Sequence, residues 1–151
     1  MKIVILGAGA VGSTLASLLS KENDLVVVDQ SSSELHRLEE EADIKTLIGG
    51  ASYPNILVNA GIQEADMVVA VTGSDETNIV SCMIAKVLNK SIKTIARVRE
   101  ISYLKGKTKE AMDSGEIPVD IHISPEQLIT EHIQGLIEIP GSLQVMEFGQ
   151  G

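Results

Sequence analysis

Residues 2–30 read KIVILGAGAVGSTLASLLSKENDLVVVDQ: an aliphatic run, three clustered glycines, an amphipathic stretch, a second aliphatic run and a closing carboxylate, Asp29. Gly7, Gly9 and Gly12 spell GxGxxG, which carries weight only when it leaves a strand, opens a helix and meets an acid at the end of the next strand. All three conditions are met by this stretch. Gly7 then permits the tight turn, Gly9 has no side chain to keep a pyrophosphate from the backbone N–H groups, and Gly12 lets the helix lie close to the strand. The helix N-terminus adds partial positive charge. The backbone through Gly7, Ala8, Gly9, Ala10, Val11 and Gly12 is therefore the candidate phosphate cradle. Asp29 falls where an adenosine ribose would lie, able to accept from both hydroxyls and to repel a 2′-phosphate. Gln30 and the serines at 31–33 bring no cation to receive that phosphate, so NAD is expected in preference to NADP.

Working outward, strand-length aliphatic runs recur at Ile3 to Leu6, Leu25 to Val28, Lys45 to Ile48, Met67 to Val71, Thr94 to Val98 and Val119 to Ile123. Between most of them lie helix-length segments with apolar residues at helical spacing, such as Leu15, Leu18 and Leu19, then Ile79, Val80, Met83, Ile84, Val87 and Leu88. Alternation of this kind forces right-handed crossovers. The expected fold class is α/β, a doubly wound, Rossmann-type parallel sheet of about six strands with helices on both faces. After Pro125 a last helix is expected, carrying Leu128, Ile129, Ile133, Leu136 and Ile137; LQVMEF beyond it reads as a strand with no partner left in the chain. The expected division is a nucleotide-binding domain over residues 1–137 and, over 138–151, a linker and the start of a truncated C-terminal lobe, as in a fragment of a longer protein.

Composition narrows the function. A chain of 151 residues is about one domain, and its core must be aliphatic because Tyr53, Tyr103 and Phe148 are its only aromatic residues. The net charge of -9 and the absence of a basic run argue against nucleic acid or an anionic membrane surface as a direct partner. No apolar run approaches the ~20 residues of a membrane-spanning helix. A single cysteine, Cys82, excludes an internal disulfide, and residues 1–6 carry no signal-peptide pattern; a reducing cytoplasm fits.

Three further places could carry chemistry. GGASYPN, residues 49–55, follows the third strand and would border the adenine through Gly50 and Ala51, although a plain Gly-Pro turn explains it equally. TGSDETN, residues 72–78, reads as a helix start with Ser74 as N-cap; beside the switch point, Thr72 and the loop backbone through Gly73 and Ser74 become candidate contacts to the distal half of a dinucleotide. Arg97, one of three arginines, ends the fifth strand, where it would meet either a phosphate or a surface ion-pair partner. His36, His122 and His132 lack metal-ligand spacing, so no metal site is expected. Cys82, in an apolar helical stretch, reads as a small packed hydrophobe rather than a nucleophile. No catalytic residue is indicated. These residues leave open a ligand sensor, the cofactor domain of an NAD-dependent dehydrogenase, or half of a dimeric enzyme.

The segments ILGAGAVG (5–12), VVVDQ (26–30), GGASYPNILVNAGIQEADMVVAVTGSDETNIVSCMIAK (49–86) and IARV (95–98) together resemble the N-terminal lobe of the RCK/KTN family, over nearly the whole chain. The NAGIQEADMVVAVTGSDETN run is far more discriminating than the glycine motif. The resemblance implies a cytoplasmic domain that binds NAD(H), and in several members ATP or ADP, performs no chemistry on it, and gates a potassium transporter or channel. It implies further that Gly7, Gly9 and Gly12 hold the phosphates, Asp29 the ribose, Thr72 the far side and Arg97 a phosphate. Many members carry an acid where this chain has Gly50. A homo-oligomer, dimer or larger ring, is implied as well, held at the inner face of the cell membrane through a transporter subunit.

Overall fold

The computed structural model describes residues 1–124. Strand and helix alternate as β1 (Lys2–Leu6), α1 (Ala10–Leu19), β2 (Asp24–Asp29), α2 (Ser32–Glu41), β3 (Lys45–Ile48), α3 (Pro54–Asn59), β4 (Met67–Ala70), α4 (Asp75–Leu88), β5 (Lys93–Arg97), α5 (Gly106–Ser114) and β6 (Ile121–Ile123). Short 3-10 turns occupy Ile62–Glu64 and Ile101–Leu104. Every strand pair is parallel, in the order β3-β2-β1-β4-β5-β6. The chain therefore works outward from β1 in one direction, then crosses back to start again at β4. This reversal opens a crevice beyond the carboxyl ends of β1 and β4.

The sheet is doubly covered, and alternation along each strand divides the apolar residues between its faces. Val4, Leu6, Val28 and Val68 belong to one core, with Leu57, Ile79 and Cys82 from the helices. Ile3, Ile5, Leu25, Val27 and Val69 belong to the other, under Ala16, Leu35 and Leu38. Val4, Ile5, Leu6, Val27 and Val28 are fully buried, each such aliphatic side chain contributing about 1.5–3 kcal/mol relative to exposure. Val71 and Val98 fall just outside β4 and β5, yet their N–H groups donate to Leu6 and Ile123 carbonyls at 2.8 and 3.1 Å and continue the ladder.

Helix faces depart from the apolar periodicity in two places. Leu18 is 64% exposed, because α1 buries Gly12 and Ala16 with Leu15 and Leu19 beside them, and Leu18 lies well round from that line. In α4 the buried face is Asn78, Ile79, Ser81, Cys82 and Ala85, which leaves Val80, Met83 and Val87 exposed. Small and polar side chains on the buried face bring this helix close to the sheet. Cys82 is fully enclosed, and burial, with Asp120 nearby, pushes its thiol up to about 12, as suits an inert packed residue. At the sheet edge Asp120 accepts from the Thr94 N–H at 2.9 Å and pairs with Lys86 at 3.1 Å, pinning the approach to β6 against β5. Burial alone would raise the Asp120 carboxyl, but the Thr94 N–H and Lys86 outweigh it and hold it below its ordinary value. The expected helix after Pro125, His132, the LQVMEF strand and the boundary at 137/138 lie outside the described residues.

Candidate functional site

An open cleft of about 250 Å³ lies at the carboxyl edge of the sheet. Of the residues singled out from sequence, Gly7, Asp29, Gln30, Gly50, Ala51 and Thr72 line it. Val28, Gly49, Ser52 and Tyr53 line it too, from the same loops and strand ends, with Thr77 from the first turn of α4. The titratable side chains among these residues are Asp29 and Tyr53. Ala8, Gly9, Ala10, Val11, Gly12, Gly73, Ser74 and Arg97 stand outside the lining.

The three glycines have three separate physical reasons. Gly7 has φ +110°, and a Cβ there would stand 2.9 Å from the Val71 carbonyl oxygen. At Gly12 a Cβ would lie 1.8 Å from the Gly7 carbonyl oxygen, so the first turn of α1 rests directly on the loop. Around Gly9 a Cβ would meet no protein atom within 4 Å. Packing therefore demands glycine at 7 and 12 but not at 9, where the space is kept clear in front of the N-terminus of α1. Gly9 caps that helix with backbone alone, so the first N–H groups of α1 keep their capacity for an anion. A phosphate fits this cradle, and a side chain at position 9 would fill it.

Asp29 ends β2 and braces the loop. Its Oδ2 accepts from the Ala8 N–H and its Oδ1 from the Ser31 N–H, both at 2.7 Å. A carboxylate offers about four lone-pair sites, so roughly two remain for ribose hydroxyls. Gln30 is exposed beside it. Gly50 is buried, and a Cβ there would stand 2.8 Å from the Tyr53 ring.

The opposite wall hangs on a residue that composition and spacing did not single out. Asn78, fully buried in α4, accepts through Oδ1 from the Thr72 N–H at 2.9 Å and the Thr72 hydroxyl at 2.6 Å. Its Nδ2 donates to the Thr72 and Arg97 carbonyls at 3.2 and 3.0 Å. The Arg97 guanidinium donates to the Thr72 carbonyl as well. Arg97 is only 8% exposed, so the surface ion pair is corrected to a buried brace behind the Thr72 loop. Ser74 is the N-cap of α4, accepting from the Thr77 N–H at 3.1 Å; Gly73 is exposed, with open space around it. Asp75 accepts from the N–H groups of Arg99 and Glu100, at 2.9 and 2.7 Å through Oδ2, and ties the loop after β5 to the same helix end. The sequence signal for Asn78 was present: an amide in line with Cys82 and Ala85 on the inward face of an amphipathic helix.

Among the described residues no group of three or more His, Cys, Asp or Glu is arranged to hold a metal, and no helix is long and apolar enough to cross a membrane.

Comparison with known proteins agrees with this fold. The chain is 49% identical, over all of its length, to the Trk system potassium uptake protein TrkA of Halomonas elongata. It spans about a third of the length of the curated relatives it matches. Among solved structures, the Kef CTD of Shewanella denitrificans in AMP-bound form superposes with TM-score 0.68 at 18% identity, covering 99% of this chain and 88% of that one. The GsuK channel bound to NAD superposes with TM-score 0.67 at 21% identity, covering 89% of this chain and 23% of that one. At these identities the two structures speak for the fold. The family model of the TrkA-N domain matches residues 3–125, from the first strand of the sheet past the last. With the glycine loop, the Asp29 brace and the strand order in place, the chain belongs to the TrkA-N domain family.

Proposed function

We propose that this domain is the nucleotide-sensing part of a cytoplasmic regulator that gates a membrane potassium-uptake transporter. The observation that carries the reading is the clear space at Gly9, framed by two glycines that packing requires and next to the Ala8 N–H that Asp29 holds. NAD⁺ or NADH fits this arrangement, with the phosphates at the start of α1, the adenosine ribose at Asp29, the adenine toward Gly50 and Ala51, and the distal half toward Thr72. ATP and ADP share the ribose and phosphates and are alternative ligands of the same site. Arg97 acts through the loop it braces. The relatives' name supplies a potassium uptake system, to which we add a transporter partner; the AMP and NAD held by the two superposed structures accord with a nucleotide.

The ligand is returned unchanged. A regulator needs two arrangements of its homo-oligomer that bind the nucleotide with different affinity, and the ligand biases the transporter by the difference. A dehydrogenase would need a proton donor or acceptor beside the nicotinamide. Of the two titratable side chains in the cleft, Asp29 holds two backbone N–H groups at the ribose position and Tyr53 lies beside Gly50 at the adenine end, so neither stands where the nicotinamide would lie in this pose.

Growth at limiting potassium tests this reading. Cells whose full-length protein carries Gly9→Val should grow poorly at low external potassium and normally at high potassium, and purified full-length protein should bind NADH without consuming it. Steady NADH oxidation with a small carbonyl substrate, together with normal potassium-limited growth of the variant, would establish the dehydrogenase instead.

A further inference from the structure

One aromatic ring stands at the cleft. Tyr53, on the loop after β3, is 57% exposed and lines the cleft with Asp29 and Ala51. Its backbone is fixed on both sides: the N–H donates to the Gly50 carbonyl at 3.2 Å, and the carbonyl accepts from the Leu57 N–H at 3.0 Å, as the N-cap of α3. The ring lies against Gly50, where a Cβ would stand 2.8, 2.9 and 3.2 Å from Cε2, Cδ2 and Cγ. Glycine at 50 thus lets an aromatic face take the space of a side chain at that position. A half-exposed ring on an otherwise polar cleft leaves apolar surface in water, and a planar base is the partner that covers it with matching geometry.

We infer that Tyr53 is the stacking platform for the adenine and a specificity-determining residue of this chain, made available by Gly50. The inference rests on the nucleotide reading above and adds the base contact to it. Stacking is tolerant of the atoms at the base edge, since every base presents a π-face. Recognition at this end of the cleft is then aromatic rather than through a charged side chain at position 50. A side chain introduced there competes with the ring for the same space, so position 50 and position 53 act together.

The 151-residue chain contains two tyrosines, Tyr53 and Tyr103, and no tryptophan, so tyrosine emission reports stacking directly. In Tyr103→Phe, where Tyr53 is the only tyrosine, AMP should quench the emission; in Tyr53→Phe, where only Tyr103 emits, it should not. By calorimetry Tyr53→Ala should weaken AMP about tenfold and Tyr53→Phe by less than about twofold. Unchanged AMP affinity in Tyr53→Ala would overturn the inference while leaving the nucleotide reading in place. So would a loss of affinity with no quenching in Tyr103→Phe, since the effect would then not be stacking. Failure of the unmodified chain to bind AMP, ATP or NADH would overturn the nucleotide reading and this inference with it.

Discussion

Asp29 shows how one side chain can serve the fold and keep acceptor capacity for the proposed ligand. Its two short bonds to the Ala8 and Ser31 N–H groups close the glycine loop over the end of β2, and they use only part of the carboxylate's acceptor capacity. Asp29→Ala should therefore weaken both NADH and ATP, since the two ligands share the adenosine ribose. The expected loss is about 1.5–3 kcal/mol in affinity, the range for charge-assisted hydrogen bonds. Chemical denaturation should show a drop in stability too, because two backbone donors lose their acceptor. Unchanged calorimetric affinity for both ligands in the folded variant would remove Asp29 from the ribose. The acid was legible from its place at the end of the second strand; its grip on the glycine loop was not, because nothing in a linear sequence says which backbone N–H a carboxylate meets.

At the scale of elements, α4 holds the far wall of the cleft. Four hydrogen bonds join Asn78 to Thr72 and Arg97, residues from the ends of β4 and β5. The strand ends meet only because parallel pairing sets Met67–Ala70 beside Lys93–Ala96. That meeting could not be read from spacing, and an Asn in a helix usually reads as a surface or cap residue. Arg97 illustrates the same limit. Its position at a strand end was legible, whereas its burial behind Thr72 depended on the helix packed over it. Asn78→Ala would leave the Thr72 N–H and the Arg97 carbonyl without this partner in a buried setting, so urea unfolding should show a loss of about 2–3 kcal/mol. Stability within experimental error of the unmodified chain would mean that water or a neighbour replaces the amide at no cost, and that the wall does not depend on it.

Across the whole molecule, the alternation of β-branched runs with amphipathic segments was enough to expect a doubly wound parallel sheet, and the strand order bears this out. The central strands β1, β2, β4 and β5 are aliphatic runs buried largely on both faces, which is why their positions were legible to within two residues. Which face each helix buries was harder, as Leu18 and Met83 show, because small residues at the contact decide how closely a helix approaches the sheet. The proposed function then depends on the switch point, where Gly7 of the glycine loop, Asp29 and Thr72 converge on one edge. The most direct test of that convergence is a calorimetric titration of NADH into the unmodified chain and into Gly9→Val. Position 9 faces open space, so the variant should keep a native circular dichroism spectrum while its valine fills the phosphate path. The predicted result is saturable binding at one site in the unmodified chain and none in Gly9→Val. Equal NADH affinity in the two proteins, with native spectra in both, would contradict the placement of the nucleotide at the switch point.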